Sequence, residues 1–295
     1  MATVSFTKDD QELIRSRRRK TLVTWFWKGL VVLILTAISC FIVFPALWMI
    51  STSLKPNSQV MVDPPVWIPH PLVWYNYVKA WTVVPFTRYT INTALYAFSV
   101  VIGTVLSNSM AAYGFARLKF PLKNFFFTLL LSTMMIPGMV TMIPQYVLYA
   151  KLHWIGTYLP LIVPSFFASA FFTFMLRQFF MGLPEELFEA ARIDGANEIW
   201  IWWRIAIPLS KAALATVAIW TFEGAWDDYV GPVLYLTNEK LYTLQIGLAL
   251  FRSQTDIYWQ YIMAASIIIM IPIIVLYVVF QDYFVEGAAL SGIKG

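Results

Sequence analysis

The 295-residue chain is 59% hydrophobic and 13% charged, with a net charge of +5. A water-soluble domain carries about 25% charged residues, so this chain has too few ionised groups to cover itself in water, and its mean hydropathy of +0.67 places it in a bilayer. The basic balance does not require nucleic acid, because the cations cluster at the ends of apolar runs. Cys40 is the only cysteine, which excludes disulfides and cysteine metal sites, and His70 and His153 are too far apart to argue for a metal.

Residues 1–28 are polar and basic, with Arg15, Arg17, Arg18, Arg19, Lys20 and Lys28. The leader is long for a signal peptide, the apolar run after it exceeds a signal core, and no small-residue cleavage site follows. This stretch reads as a retained cytoplasmic tail. Residues 29–50 carry no charge and are long enough to cross about 30 Å of hydrocarbon. Residues 51–85 form a proline-punctuated loop whose aromatics, Trp67, Trp74, Tyr75, Tyr77 and Trp81, suit either a membrane–water interface or a docking surface.

Further spans are expected at 89–116, at 124–150, at 157–176 (closed by Arg177), at 212–236 and at 257–281. Pro137 and Pro144 lie inside the third, where they free backbone carbonyls that neighbours or water must satisfy. The expectation is an all-α membrane protein with six transmembrane helices and both termini cytoplasmic. It comprises a basic tail (1–28), a six-span domain (29–284) with a cytoplasmic loop at 178–211, and a C-terminal tail (285–295). Fifteen of the 21 Lys and Arg then fall inside and six outside, which supports this orientation over its inverse.

The loop at 178–211 is polar between two apolar stretches. Pro184 to Ile193 is rich in helix formers, Asp194-Gly195 supplies a break, and a second helical run is expected from Ala196 to about Arg204, with Pro208 marking a new start. The fifth span is the only one with acidic residues well inside it: Glu223, Asp227 and Asp228. Each costs roughly 2.5–3.5 kcal/mol at mid-membrane, so they should face a water-filled pathway or a partner chain, unless the segment lies near the outer mouth and they are solvated. Glu223 and Asp227 are four apart, on one helix face, with Trp226 nearly beside them. Carboxylates and an aromatic face suit a sugar.

Glu189-Ala190-Ala191, Asp194-Gly195-Ala196, Ile205 and Pro208-Leu209 at this spacing resemble the EAA loop of binding-protein-dependent ABC importers, most closely the smaller membrane subunit of the maltose-type sugar branch. Trp202 and Ala212 depart from the usual Phe and Pro. Ala111 to Arg117, and Phe222, Gly224, Trp226 to Tyr229 and Pro232, also resemble the family, with Asp227 in place of the usual Asn and Glu223 in place of an apolar residue.

The resemblance implies the type I permease fold in the bacterial inner membrane. It also implies a heterodimer with a homologous membrane subunit, two ATP-binding subunits, an external solute-binding protein and a sugar substrate. Glu189, Ala190, Ala191, Asp194, Gly195 and Ala196 would couple to the ATPase. Glu223, Trp226, Asp227, Asp228 and Tyr229 would line the substrate pathway. Thr243, Gln245 and Gly247 would contact the binding protein, and the tail from Glu286 to Gly295 would reach between the ATPases.

No Walker-type phosphate loop, GxSxG, HExxH or GxGxxG occurs, so this chain is read as non-catalytic, without cofactor or metal, with ATP and Mg held by the partner. Paired carboxylates can hydrolyse glycosides, but no soluble pocket accompanies them. The alternatives kept open are a secondary transporter, which would show internal repeats and matching charges in both halves, and a permease for a non-sugar or an acidic, uronate-containing oligosaccharide.

Overall fold

A computed structural model describes the backbone of residues 8–251 and 258–292 and the side chains of 24–251 and 258–281. The chain divides into two units, 1–73 and 74–295. The roles read for Arg15 to Lys20 and for Glu286 to Gly295 rest on side chains outside the described residues.

The first unit is built on α1 (Lys8–Ser53), whose stretch Thr24–Ser53 is apolar and long enough to cross a membrane. Its large side chains, such as Phe41 and Ile42, are exposed, as in a helix solvated by lipid rather than packed in a core. Beyond it Trp67 packs against Phe44 and Trp48, with ring centroids 5.5 and 4.9 Å apart. The buried Lys55 ammonium lies 3.8 Å from the centre of the Trp48 ring. Trp67 thus rests on its own unit's helix while staying 55% exposed.

The second unit contains α2 (Tyr75–Val83), α3 (Phe86–Arg117), α4 (Lys123–Ser132), α5 (Gly138–Lys151), α6 (Leu159–Ile162), α7 (Ala170–Met181), α8 (Glu185–Ile193), α9 (Glu198–Ile201), α10 (Ile207–Leu209), α11 (Lys211–Trp226), α12 (Val230–Tyr235), α13 (Leu244–Leu250) and α14 (Trp259–Gly292). No strand occurs among the described residues. α3 is central: it packs on α7 and α11, α11 packs on α14, and α14 on α2. Tyr96, Ala97, Phe222, Trp226, Ala265 and Ile269 form one core. A second, at the other end of α3, gathers Tyr113, Leu176, Phe180, Phe188, Ile201, Trp202 and Val217.

Several expected spans are interrupted. Four helical stretches can cross a membrane by length and composition, Thr24–Ser53, Phe86–Arg117, Leu159–Met181 and Trp259–Gln281, or up to six if each of two bent pairs is one span. Lys123–Met135 and Gly138–Lys151 meet at 99°. The cause is Pro137, which forces Ile136 into an extended conformation (φ −89°, ψ 114°). Glu198–Leu209 and Lys211–Trp226 meet at 85° across Ser210.

The fourth span breaks in its middle, where a 3₁₀ turn (Val163–Phe166) leads into an extended Phe167. Backbone freed there needs partners, and α3 supplies them. The buried Asn108 Oδ1 accepts from the Ser169 N–H (2.8 Å), the Ser169 hydroxyl (3.0 Å) and the Thr173 hydroxyl (3.1 Å). Ser107 donates to the Ser165 carbonyl (3.0 Å). The approach is close because residue 103 is glycine: a Cβ there would stand 2.3 Å from Ser165 Oγ. The helix does not end at the expected Arg177. The Arg177 Nε donates to the Phe115 carbonyl (3.1 Å) and its guanidinium lies 4.2 Å from the Phe127 ring centre, so its charge is accommodated alongside a helix that continues to Met181.

Candidate functional site

α8 carries Glu185 and Glu186 in its first turn and Arg192 in its last, the arrangement the helix dipole favours. Phe188 and Ala191, three apart, are its buried face. Gly195 ends the turn at φ +83°, which L side chains rarely adopt. The second helix starts later than expected, at Glu198, because Asn197 caps it: its Oδ1 accepts from the Trp200 N–H (2.8 Å).

Pro208 stands at the start of the short α10 (Ile207–Leu209), not of the long α11. It lacks the N–H that the Arg204 carbonyl would need, and the chain compensates just before it with a π turn (Trp202–Ala206) that sends the Ile207 N–H to the Trp202 carbonyl. The new start is at Lys211.

A web of charge ties this helix pair to the end of α3. The buried Arg117 guanidinium pairs with Glu185, donates to the carbonyls of Phe180 (2.5 Å) and Leu183 (2.6 Å), and lies 4.2 Å from the Phe188 ring centre. Arg192 bridges Glu198 (2.9 Å) and Glu185 (3.4 Å) across the Gly195 turn. The Tyr113 hydroxyl donates to Glu198 (2.5 Å). Burial pushes the Glu198 carboxyl up, but hydrogen bonds from Arg192 and Tyr113 and the Arg192 charge outweigh it and hold Glu198 below its ordinary range. Sequence reasoning missed Tyr113, Arg117, Arg192 and Glu198 as a set. The legible signal was Tyr113 and Arg117 four apart, hence on one face of α3.

The outer face of the pair exposes large apolar side chains beside Glu186, Glu189 and Asp194. Ile193 is 86% exposed and Ile199 71%, with Leu187 and Trp200 about half exposed. Leu187, Ala190, Ala191, Asp194, Gly195, Ala196 and Trp200 line an open pocket of about 600 Å³. Five of the six residues expected to couple thus share one concavity. Glu189 is exposed beside them.

The acidic span differs from expectation. α11 ends at Trp226, so Asp227 and Asp228 lie at a break, not inside a helix. Phe222, Ala225 and Trp226 form the buried stripe of α11. Trp226 is 4% exposed, stacks on Phe222 and donates its indole N–H to the Ile269 carbonyl (3.1 Å), so it faces α14 rather than the acids. Asp228 accepts from the Tyr96 hydroxyl (2.9 Å) and the Gly231 N–H (3.1 Å), holding the break closed. Glu223, Asp227 and Tyr229 remain exposed, with Gln245 donating to Asp227 (3.0 Å).

Thr243 and Gly247, expected on an outward-facing loop, face inward. Thr243 is 2% exposed, and a Cβ on Gly247 would meet Tyr89 at 2.5 Å. The reason is a run of ties to α3: Asn92 donates to the carbonyls of Lys240 and Tyr242 (2.9 Å each), and Thr93 Oγ1 accepts from the Leu244 N–H (2.9 Å). Gln245 alone of the three keeps a surface position.

Residues 99–289 match the family of binding-protein-dependent transport system inner membrane components. The chain belongs to that family. The permease is 35% identical over 254 residues to the sn-glycerol-3-phosphate transport system permease protein UgpE of Yersinia pestis, covering 83% of this chain and 90% of the relative. It is 33% identical over 256 residues to the arabinooligosaccharides transport system permease protein AraQ of Halalkalibacterium halodurans (86% and 91% covered). It is 30% identical over 253 residues to the sulfoquinovosyl glycerol transport system permease protein SmoH of Agrobacterium fabrum (85% and 89%). Among solved structures, a chain of a bacterial ABC transporter involved in the import of the acidic polysaccharide alginate superposes with a TM-score of 0.76 at 22% identity, covering 96% of the permease and 100% of that chain. The fold is shared.

Proposed function

We propose that the permease is one membrane half of an ATP-driven importer for a sugar or a glycosyl compound. The bent pair Lys123–Met135 and Gly138–Lys151 is one span and the stretch from Lys211 onward another, giving six with the four long helices, and both termini lie on the cytoplasmic side of a bacterial inner membrane. A homologous permease, two ATP-binding subunits and an external solute-binding protein complete the machine, and ATP and Mg sit on the partners. The helix pair Glu185–Ile193 and Glu198–Ile201 is the handle that the ATPase grips.

One observation carries this reading. The pair turns large apolar side chains and an alanine- and glycine-lined concavity outward, while its inner face is tied by Arg117 and Tyr113 to α3. A partner closing on that concavity would move α3 with it, and a bundle whose spans are interrupted at 133–137, 163–169 and 227–229 has places to bend. ATP biases the result only by favouring one state over the other.

Glu223, Asp227 and Tyr229 are the pathway residues, with Gln245 holding Asp227. The substrates for which the relatives are named support a sugar-like or glycerol-derived cargo. The exposed acids favour a neutral solute. An acidic oligosaccharide is the second reading, supported by relatives named for sn-glycerol-3-phosphate and by the alginate importer's fold; it requires a compensating cation or a partner's arginine.

The deciding experiment is affinity purification of the tagged permease from its native membrane. An ATPase subunit should co-purify, and a cysteine at Ala196 should cross-link to it. A permease that pumps solute with no ATPase attached would instead be a secondary transporter. Binding of a panel of neutral and acidic sugars to the co-purifying solute-binding protein then separates the two substrate readings.

A further inference from the structure

The sequence holds no Asp or Glu between residues 64 and 184, yet seven Lys and Arg. Arg117 spends its charge on Glu185. Lys119, Lys123 and Arg177 gather at the turn between α3 and α4, and none of them takes part in an ion pair among the described residues. Lys123 Nζ donates to the carbonyls of Ala116 (3.3 Å) and Leu118 (2.9 Å), and Arg177 Nε to that of Phe115. They thereby cap the C-terminal end of α3, whose dipole amounts to about half a negative charge. Three full positive charges against that half leave a surplus of more than two.

The surplus borders a concavity. An open pocket of about 490 Å³ is lined by Lys119, Lys123 and Asn124 on its polar side and by Phe120, Leu122 and Phe125 on its apolar side. Leu122 is 67% exposed and Phe125 59%. The pocket lies between the end of α3, which is long and apolar enough to cross a membrane, and the start of the apolar α4. Cationic donors against an exposed apolar wall match an amphiphile with an anionic head. Basic pockets between spans on the cytoplasmic side take such headgroups.

We propose that the α3–α4 turn binds an anionic phospholipid, with Lys119 and Lys123 on the headgroup phosphate and the acyl chains along Phe125 and Phe126. The pocket shares no residue with the handle or the acidic break, so the lipid site stands or falls independently of the coupling mechanism.

The test uses the assembled importer in nanodiscs of phosphatidylcholine alone or with phosphatidylglycerol. Acylation of Lys119 by a water-soluble amine reagent is followed by mass spectrometry, with exposed Lys79 as the control. Phosphatidylglycerol should slow acylation of Lys119 about five-fold or more and leave Lys79 unchanged. Lys119→Gln removes one charge from an exposed side chain and should weaken phosphatidylglycerol retention in native mass spectrometry roughly five-fold, the effect of one lysine near an anionic surface. Equal acylation in both discs, equal retention by Lys119→Gln, or equal protection by inorganic phosphate in phosphatidylcholine discs overturns the proposal. Full protection of Lys119 in phosphatidylcholine discs does so too, since a protein partner would then cover the turn.

Discussion

The guanidinium of Arg117 lies 4.2 Å from the centre of the Phe188 ring. Arg117 is the last residue of α3 and Phe188 the buried centre of α8, so this one stack joins a membrane-crossing helix to the helix that the proposed ATPase partner would grip. The same guanidinium pairs with Glu185 and donates to the carbonyls of Phe180, in the last turn of α7, and Leu183, in the connection to α8. Its two terminal nitrogens together serve one carboxylate and two carbonyls, a planar arrangement that a lysine cannot reproduce.

Arg117→Lys should therefore insert and fold but loosen the handle. The lost stacking and forked hydrogen bonds amount to about 1–3 kcal/mol locally. Limited proteolysis between α7 and α9 should accelerate, and in reconstituted importer ATP should be hydrolysed with less solute moved per turnover. Unchanged proteolysis together with an unchanged transport-to-hydrolysis ratio would mean that α3 does not carry the motion.

Gly195 separates geometry from contact. A Cβ there meets no atom within 4 Å, so the only penalty is the backbone at φ +83°. Gly195→Ala should cost about 1–2 kcal/mol of local order. Gly195→Asn, which tolerates that region, should retain most of the coupling. Gly195→Pro, locked near φ −65°, should abolish uptake while leaving the chain in the membrane. If Gly195→Pro transports at the normal rate, the turn is not a working part.

These two cases show what could be read before the fold was known. The glycine break and the start of α8 after Pro184 follow from local chemistry and stand where the residues put them, while α3 begins three residues before the expected 89. The direction of Trp226 does not follow. It is three residues from Glu223, yet the buried stripe of Phe222, Ala225 and Trp226 runs beside the exposed one, and only packing against α14 decides the boundary between them. Thr243 and Gly247 looked like loop surface until α3 was seen to hold that segment through Asn92 and Thr93. The π turn before Pro208 and the break at Ser169 are answers to missing backbone partners, which a period of 3.6 does not register.

Asn108 is the clearest case of a polar residue with a structural task. Its Oδ1 serves three donors at the break in the fourth span. Asn108→Leu is close in volume but leaves the buried Thr173 hydroxyl without its acceptor, at about 1–3 kcal/mol, and turns the two donors of the exposed Ser169 to other partners. The melting temperature in detergent should fall by several degrees. Asn108→Asp keeps the acceptor and should fall less. An Asn108→Leu chain as stable as the parent would show that water fills the break.

The acids of the fifth span should divide by role. Asp228 closes the break through Tyr96 and Gly231, so Asp228→Ala should lower stability by about 1–3 kcal/mol. Glu223→Gln removes an exposed charge and should leave melting unchanged, but it should alter uptake of the cognate solute. The shift in apparent KM should be greater for a charged cargo than for a neutral one. Identical uptake by Glu223→Gln across such a panel would remove Glu223 from the pathway.

Glu198 makes the handle sensitive to acid. Its folded pKa is held below the ordinary glutamate value of about 4.3 by Arg192 and Tyr113. A depressed carboxylate contributes stability that is present above the unfolded value and is lost as pH falls through the folded one. Hydrogen exchange in α8 and α9 should thus be flat from neutral pH down to about 5, after correction for the intrinsic rate. Protection should then be lost below about 4 as Glu198 takes a proton and releases Arg192. Glu198→Gln should show the weaker protection already at neutral pH and no further step in acid. A wild-type profile without that step would place the cohesion of the handle in Phe188 and Ala191, the apolar face, rather than in the charges across the turn.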